Sequence, residues 1–166
     1  MARKSLRKRR AVHKKPDNFV VFYKVTIFTA LVIVLGAFLL TLFALITLFM
    51  SGSVIFDLFA IRAKEGNYVL FIVVSNFVSG FLYLISAYGM FFQKNWTTRL
   101  LVVIVTILLV SFVGLLGYIN GGGIYEQQTI RAMLFRIGVT ILFAGISWQF
   151  VTTNAKLIKP TKNELD

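Results

Sequence analysis

The stretch VTIFTALVIVLGAFLLTLFALITLFM, residues 25–50, contains no charged side chain. At the helical rise it forms a helix about 39 Å long, whereas the hydrocarbon core of a bilayer is roughly 30 Å thick. The stretch therefore predicts a transmembrane helix that crosses the bilayer with some tilt. The residues Leu48-Phe49-Met50 before Ser51 do not form a small-residue cleavage site, so we interpret the stretch as an uncleaved span and not as a signal peptide.

Three further segments of low charge predict three more spans. They cover residues 68–92, 100–118 and 132–151, and only the last contains a charge, Arg136. A chain of 166 residues with 58% hydrophobic content is typical of polytopic membrane proteins. We predict an all-α integral membrane protein: a four-helix transmembrane bundle over residues 19–154, a polybasic tail over residues 1–18 and a polar tail over residues 155–166.

Small and polar residues predict the limits of the first span. Pro16-Asp17-Asn18 is a turn signal at the end of the basic tail. Ser51-Gly52-Ser53 predicts the flexible start of a connection over residues 51–67. Within that connection, residues 54–61 are apolar except for Asp57 and too short to cross, so we expect an interfacial helical turn there.

The other two connections are short. Residues 93–99, QKNWTTR, predict a tight hairpin between the second and third spans. Asn120-Gly121-Gly122-Gly123 predicts a turn, and the fourth helix is expected to begin near Tyr125. A phosphate-binding loop is not expected, because the glycines are not followed by Lys and Ser or Thr.

The N-terminal tail carries a dense positive charge. It can attract anionic lipid headgroups, or it can dock to an acidic partner such as a protein surface or RNA. No aromatic residues are interleaved with these charges, so we do not expect nucleic-acid recognition. The basic residues concerned are Arg3, Lys4, Arg7, Lys8, Arg9, Arg10, Lys14 and Lys15.

The distribution of basic residues predicts the orientation. With alternating sides, 14 of the 18 Lys and Arg residues fall on the side of the two tails and the second connection. The positive-inside rule then places both termini in the cytoplasm. We expect a multi-pass protein of the bacterial inner membrane.

Polar residues at helical spacing predict two faces that need burial, because helices in lipid associate through small and hydrogen-bonding side chains. On the second span they repeat at intervals of three and four residues, the period of left-handed helix packing. Its face comprises Asn76, Ser79, Tyr83, Ser86 and Met90. The face of the fourth helix comprises Thr129, Met133, Arg136, Thr140, Ala144 and Ser147.

An arginine inside a span is costly unless it is paired or reaches water. Arg136 lies about 8 Å past Arg131 and Asn76 about 12 Å past Tyr68 at 1.5 Å per residue, so the two side chains can meet. We expect Arg136 to donate to Asn76, Ser79 or nearby backbone carbonyls. Two alternatives remain open: the side chain extends outward to the headgroups, or it contacts another subunit or a bound lipid.

Small residues on the other two spans predict further packing positions. On the third span they are Thr106, Gly114 and Gly117. On the first span they are Thr26, Thr29, Gly36, Ala37, Ala44 and Thr47.

The spans lack the residues that most membrane chemistry needs. The chain has no cysteine, and its one histidine, His13, lies in the basic tail. The spans contain no Asp, Glu, His or Lys, so neither a proton carrier nor a catalytic acid or base is available within them. We expect no enzyme activity, no metal and no cofactor.

These features favour a small non-catalytic membrane protein. We expect an accessory or structural subunit of a larger membrane complex, whose partners are larger membrane-protein subunits and membrane lipids. The alternative is a homo-oligomeric channel or small-solute transporter with a polar path along residues such as Asn76, Ser79 and Thr140. A third possibility is an adaptor whose basic tail recruits a soluble partner.

Overall fold

A computed structural model describes residues 16–58 and 68–152. All regular secondary structure in these residues is helical. The elements are α1 (Pro16–Ile55), α2 (Leu70–Phe91), α3 (Trp96–Asn120), α4 (Gln127–Ile146) and a π-helical segment (Ser147–Thr152) that continues α4.

In the described ranges, four helices are long and apolar enough to cross a membrane. The spans are Thr26–Ile55, Leu70–Phe91, Trp96–Asn120 and Gln127–Val151. The prediction of an all-helical chain with four membrane-spanning helices is thereby confirmed, and the chain is a multi-pass membrane protein by the length and composition of its helices.

The first helix is longer at both ends than the sequence predicted. The turn expected at Pro16 is wrong, because α1 begins at Pro16, whose fixed φ suits the first position of a helix. The flexible connection expected at Ser51 is also wrong, because α1 continues to Ile55 with Ser51 and Ser53 buried. Gly52 there approaches the ring of Phe77 on α2.

Beyond α1 the chain turns sharply. Asp57 has a φ of 53°, in the left-handed region, and therefore does not continue the helix. The remainder of the predicted interfacial turn, from residue 59 onward, lies outside the described residues. The polar C-terminal tail and the basic residues before Pro16 also lie outside them.

The second connection is shorter than predicted. α3 begins at Trp96, so the connection covers only residues 92–95. Thr97 and Thr98, expected in the loop, are buried on α3. The third connection is confirmed as a turn: Gly122 has a φ of 81°, which glycine adopts without strain, and α4 begins at Gln127.

The chain divides into two units, Met1–Val32 and Ile33–Asp166. In the first unit, residues 16–32 are helical. In the second unit, the rest of α1 packs with α2, α3 and α4 into an antiparallel bundle; Gly36 early in this part of α1 lies beside Met90 late in α2, and Gly52 late in α1 lies beside Phe77 early in α2. The antiparallel order follows from contacts between opposite ends: Thr98 near the start of α3 bonds Ser147 at the end of α4, and Ser75 near the start of α2 bonds Ser111 late in α3.

Within the second unit, α1 has one inward face of period 3.5. The residues that define it are Ile33, Ala37, Leu40, Ala44, Thr47, Ser51 and Val54, and Gly36, Gly52 and Ser53 beside them are buried as well. The intervals of four and three residues are those of left-handed, knobs-into-holes packing. Of the six packing positions expected on α1, Gly36, Ala37, Ala44 and Thr47 are buried, whereas Thr26 is exposed and Thr29 is half-buried.

The face expected on α3 is largely wrong. Thr106 and Gly117 are exposed, and only Gly114 has a neighbour, the ring of Phe71. The Thr106 hydroxyl donates to the carbonyl of Val102 one turn earlier, so it needs no partner helix. After Thr97 and Thr98 at its start, the buried face of α3 is aliphatic and comprises Leu101, Ile104, Leu108 and Leu115.

We predict that Gly80→Leu destabilises the bundle. A Cβ on Gly80 would lie 2.7 Å from Cγ of Leu48 on α1, so a larger side chain must separate the two helices. Overpacking of this kind costs roughly 1–3 kcal/mol. Gly117→Leu is the matched control, because nothing lies within 4 Å of a Cβ at that position. Thermal unfolding in detergent measures both, and equal stabilities would contradict the packing of α1 on α2.

Candidate functional site

The polar faces predicted on α2 and α4 lie partly or fully buried in the bundle. On α2, Ser79, Tyr83 and Ser86 are buried together with Met90, and Asn76 is half-buried. On α4, Thr140, Ser147 and Met133 are buried. The other members of the predicted α4 face, Thr129, Arg136 and Ala144, are half-buried.

A hydrogen-bonded chain joins α2 to α4. The Thr140 hydroxyl donates to the backbone carbonyl of Arg136 over 2.6 Å. A threonine hydroxyl has one proton, so its bond with the Tyr83 hydroxyl must be donated by Tyr83. Tyr83 is 1% exposed, and Phe43 of α1 packs against its ring edge-to-face at 5.3 Å. Tyr83 therefore connects three helices.

Two other hydroxyl pairs hold α3 in place. Thr98 and Ser147 bond over 2.8 Å at the junction of α4 and the π-helical segment. Ser111 donates to Ser75 over 2.8 Å, and Ser75 donates to the carbonyl of Phe71. The sequence predicted Thr98 in a loop, and Ser75 and Ser111 were not among the predicted packing residues. All three residues carry a hydroxyl within or next to an apolar run, and in lipid such a hydroxyl favours a contact with another helix.

Four buried hydroxyls have no hydrogen-bond partner among the described residues: Ser53, Ser79, Ser86 and Thr97. They lie on α1, α2 and α3; a Cβ built on Gly89 of α2 would lie 2.5 Å from Oγ1 of Thr97, so α2 and α3 approach closely there. Their small size permits that approach, which is the packing role of serine and threonine in membrane helices.

A cavity lies at the end of the bundle where α1 ends and α2 and α4 begin. Its volume is about 320 Å³. We call it the Arg136 cavity. α1 contributes Met50, Ser51 and Val54 to its lining; the start of α2 contributes Tyr68, Val69, Ile72, Val73 and Asn76; the start of α4 contributes Glu126, Gln128, Thr129, Ala132, Met133 and Arg136.

The two polar residues that sequence analysis paired both line the Arg136 cavity, but they do not bond as expected. Oδ1 of Asn76 and Oγ of Ser79 are buried and have no hydrogen-bond partner among the described residues. Arg136 therefore donates to neither atom, and this part of the expectation is wrong. Arg136 is half-buried and its Nη1 atom is shielded from solvent.

The lining of the Arg136 cavity offers groups that can bind a ligand. Among the described lining residues the one carboxylate is Glu126, which is the N-cap residue of α4 and is exposed. Where the structure describes the chain, no three His, Cys, Asp or Glu side chains come together as metal ligands do. The cavity offers a guanidinium, an amide, hydroxyls and aliphatic walls, which together can hold a polar group attached to an apolar one.

The other predicted site residues fall on the basic tail. These residues, from Arg3 to Lys15, precede the described part of the chain. Their assignment to anionic lipid or an acidic partner stays a prediction.

Comparison of the chain with protein-family models, with curated proteins and with solved structures finds no match. The class of protein therefore follows from the fold alone: a multi-pass membrane protein whose second unit is a four-helix bundle with a hydroxyl-rich interior.

We predict a favourable coupling free energy between Tyr83 and Thr140. Hydrogen bonds between membrane helices contribute about 0.6 kcal/mol on average and up to about 1.7 kcal/mol. A double-mutant cycle with Tyr83→Phe and Thr140→Val isolates this bond, because loss of the Thr140 bond to the Arg136 carbonyl cancels in the cycle. Unfolding of the four variants in mixed micelles gives the coupling, and additive effects would contradict the bond.

Proposed function

We propose that the protein is a non-catalytic subunit that binds a larger membrane protein through the outward face of α4. Two glycines on this helix, Gly138 and Gly145, carry the proposal. Both are exposed, and a Cβ built on either would meet nothing within 4 Å. We call this surface the α4 glycine face.

The inward glycines of the bundle make room for side chains of neighbouring helices. A Cβ on Gly80 would collide with Leu48 of α1, and one on Gly36 would lie 2.6 Å from Cε of Met90 on α2. A Cβ on Gly89 would collide with Trp96 and Thr97 of α3. Each of these glycines receives a side chain from a neighbouring helix. The α4 glycine face has the same residue type and no such neighbour.

The spacing of the α4 glycine face suits a partner helix. Gly138 and Gly145 are seven residues apart, which places them on the same side of α4 about two turns from each other. Exposed bulky side chains, Phe135 and Leu142, lie three residues before each glycine. Glycines beside such ridges form grooves that admit another helix, and small residues mark helix contacts in lipid because tails and side chains are equally apolar.

A larger membrane subunit is our proposed occupant. A channel through the interior of a single bundle would need a water path, but Tyr83 and Thr140 join α2 to α4 across the middle of that interior. Leu101, Ile104 and Leu108 line the α3 side of the interior with aliphatic groups. A subunit that supplies helices and lipid contacts needs neither a water path nor a titratable group.

We further propose that both termini lie in the cytoplasm of a bacterium and that the protein resides in the inner membrane. The basic residues before the first span would then meet the anionic inner leaflet, where each contributes about 1 kcal/mol of attraction. The Arg136 cavity would open on the opposite leaflet.

We predict that Gly138→Leu with Gly145→Leu abolishes co-purification of the partner. Leucine fills the groove, so a helix can no longer approach. The bundle itself should be unaffected, since both positions face open space. Val110→Leu with Val113→Leu on α3 is the matched control, because these valines are 67% and 66% exposed. The tagged protein is purified in mild detergent from its native membrane, and stoichiometric companions are identified by mass spectrometry.

The control should retain a larger integral membrane protein at constant stoichiometry, and the glycine variant should lose it. If the wild-type protein purifies as a homogeneous oligomer without companions and conducts in liposomes, the subunit proposal is overturned in favour of a channel. Retention of the companion by the glycine variant would overturn the assignment of the α4 glycine face.

The orientation gives a separate prediction. The chain has no cysteine, so single cysteines can be introduced and labelled selectively. In intact cells, a membrane-impermeant maleimide should label Gly121→Cys and should not label Ser5→Cys or Asn163→Cys. Labelling of all three after permeabilisation is the control. Labelling of either tail in intact cells would contradict the proposed orientation.

A further inference from the structure

The passage from α2 to α3 has a backbone fixed by hydrogen bonds. Gln93 has a φ of 51°, in the left-handed region that often ends a helix. The Lys94 amide donates to the carbonyl of Gly89, and the Gln93 amide donates to the carbonyl of Met90. These two bonds cap the last turn of α2. We call residues 88–99 the α2–α3 corner.

Aromatic side chains mark the depth of the α2–α3 corner in the membrane. Tyr88, Phe91 and Phe92 are exposed, and the ring centroids of Tyr88 and Phe92 lie 4.6 Å apart. The ring of Trp96 packs on α2, because a Cβ on Gly89 would lie 2.7 Å from its Cη2 atom. Tyrosine and tryptophan of membrane proteins concentrate at the level of the lipid headgroups. The corner therefore belongs to the headgroup region.

A second tryptophan lies at the same end of the bundle. Thr98 of α3 and Ser147 of α4 share a hydrogen bond of 2.8 Å, which places the start of α3 beside the end of α4. Trp148 follows Ser147 directly and is exposed. Tryptophans on two neighbouring helices thus indicate the same headgroup level.

Two exposed basic residues lie within the α2–α3 corner, Lys94 in the turn and Arg99 in the first turn of α3. Arg99 follows Trp96 by three residues, and residues at this spacing are neighbours on the surface of a helix. Residues 88–99 contain no Asp or Glu. The corner therefore presents two positive charges at the depth where lipid phosphates lie.

We propose that the α2–α3 corner binds an anionic phospholipid through Lys94 and Arg99, beside the ring of Trp96. Arginine can bind a phosphate with two parallel N–H bonds, and lysine attracts it as a compact charge. The preferred lipid has a net negative charge, as phosphatidylglycerol does. In phosphatidylcholine the trimethylammonium group cancels the charge of the phosphate. A lipid is the occupant, because the aromatic side chains place both cations in the headgroup region.

The test measures which lipids lie beside Trp96. Trp148→Phe leaves Trp96 as the single tryptophan of the chain. Brominated acyl chains quench tryptophan fluorescence only at short range. The full chain is reconstituted into bilayers of phosphatidylglycerol and phosphatidylcholine, with bromine first on one lipid and then on the other. We expect phosphatidylglycerol to be enriched beside Trp96 roughly 5- to 30-fold, the ratio that one to two basic residues near a membrane surface provide.

Lys94→Gln with Arg99→Gln, in this single-tryptophan chain, should lower the enrichment at least fivefold. Thermal stability should stay unchanged, because both side chains are exposed. Lys14→Gln with Lys15→Gln is the matched control. It removes the same charge from the same side of the membrane, since two spans separate the basic tail from the corner, and it should keep the enrichment.

The opposite end of α3 gives a second control. Leu116 is exposed there, so Leu116→Trp, in a chain with Trp96→Phe and Trp148→Phe, should show no enrichment. Inorganic phosphate should not lower the enrichment at Trp96 more than sodium chloride of equal ionic strength does. A specific loss with phosphate would overturn the assignment to a lipid.

Equal quenching by the two brominated lipids would overturn the proposal. An enrichment that survives Lys94→Gln with Arg99→Gln would also overturn it. So would an equal loss in Lys14→Gln with Lys15→Gln, because that result indicates attraction by the total charge on this side of the membrane. No partner protein is present in these bilayers, so the outcome is independent of the proposed partner on α4.

Discussion

Lipid tails are as apolar as leucine, so burial of apolar surface does not hold helices together inside a membrane. Association then depends on close contact at small residues and on hydrogen bonds between helices. In this chain Gly80 admits Leu48 of α1, and the Tyr83 hydroxyl bonds Thr140 of α4. Both contacts arise from one face of α2. That face determines how α1, α2 and α4 pack, and their arrangement forms the Arg136 cavity.

The number of spans was predictable because uncharged runs of about 20 residues have few other uses. The limits of α1 and α3 were not predictable. Small polar residues mark turns in soluble proteins, but in lipid they mark helix contacts, as at Ser51-Gly52-Ser53 and Thr97-Thr98. One signal was present: Thr47, Ser51 and Val54 continue the spacing of the buried face. The outward position of Gly138 could not be predicted, because it depends on which helices are neighbours.

α4 carries a polar side that faces the bundle and a glycine-bearing side that faces outward. It is the least apolar of the four spans. Its inward side bears Arg136 and Thr140, and its outward side bears the α4 glycine face. A helix with few apolar side chains gains less free energy from contact with lipid, so its place in the membrane depends more on contacts with protein.

The central claim is that α4 has an inward polar side and an outward glycine side within the membrane. Spin labels on single cysteines at residues 137–145, in lipid bilayers, measure oxygen accessibility at each position. The account predicts a helical period with minima at Ile137 and Thr140 and maxima at Gly138, Leu142 and Gly145. A uniform profile, or maxima at Ile137 and Thr140, would contradict it.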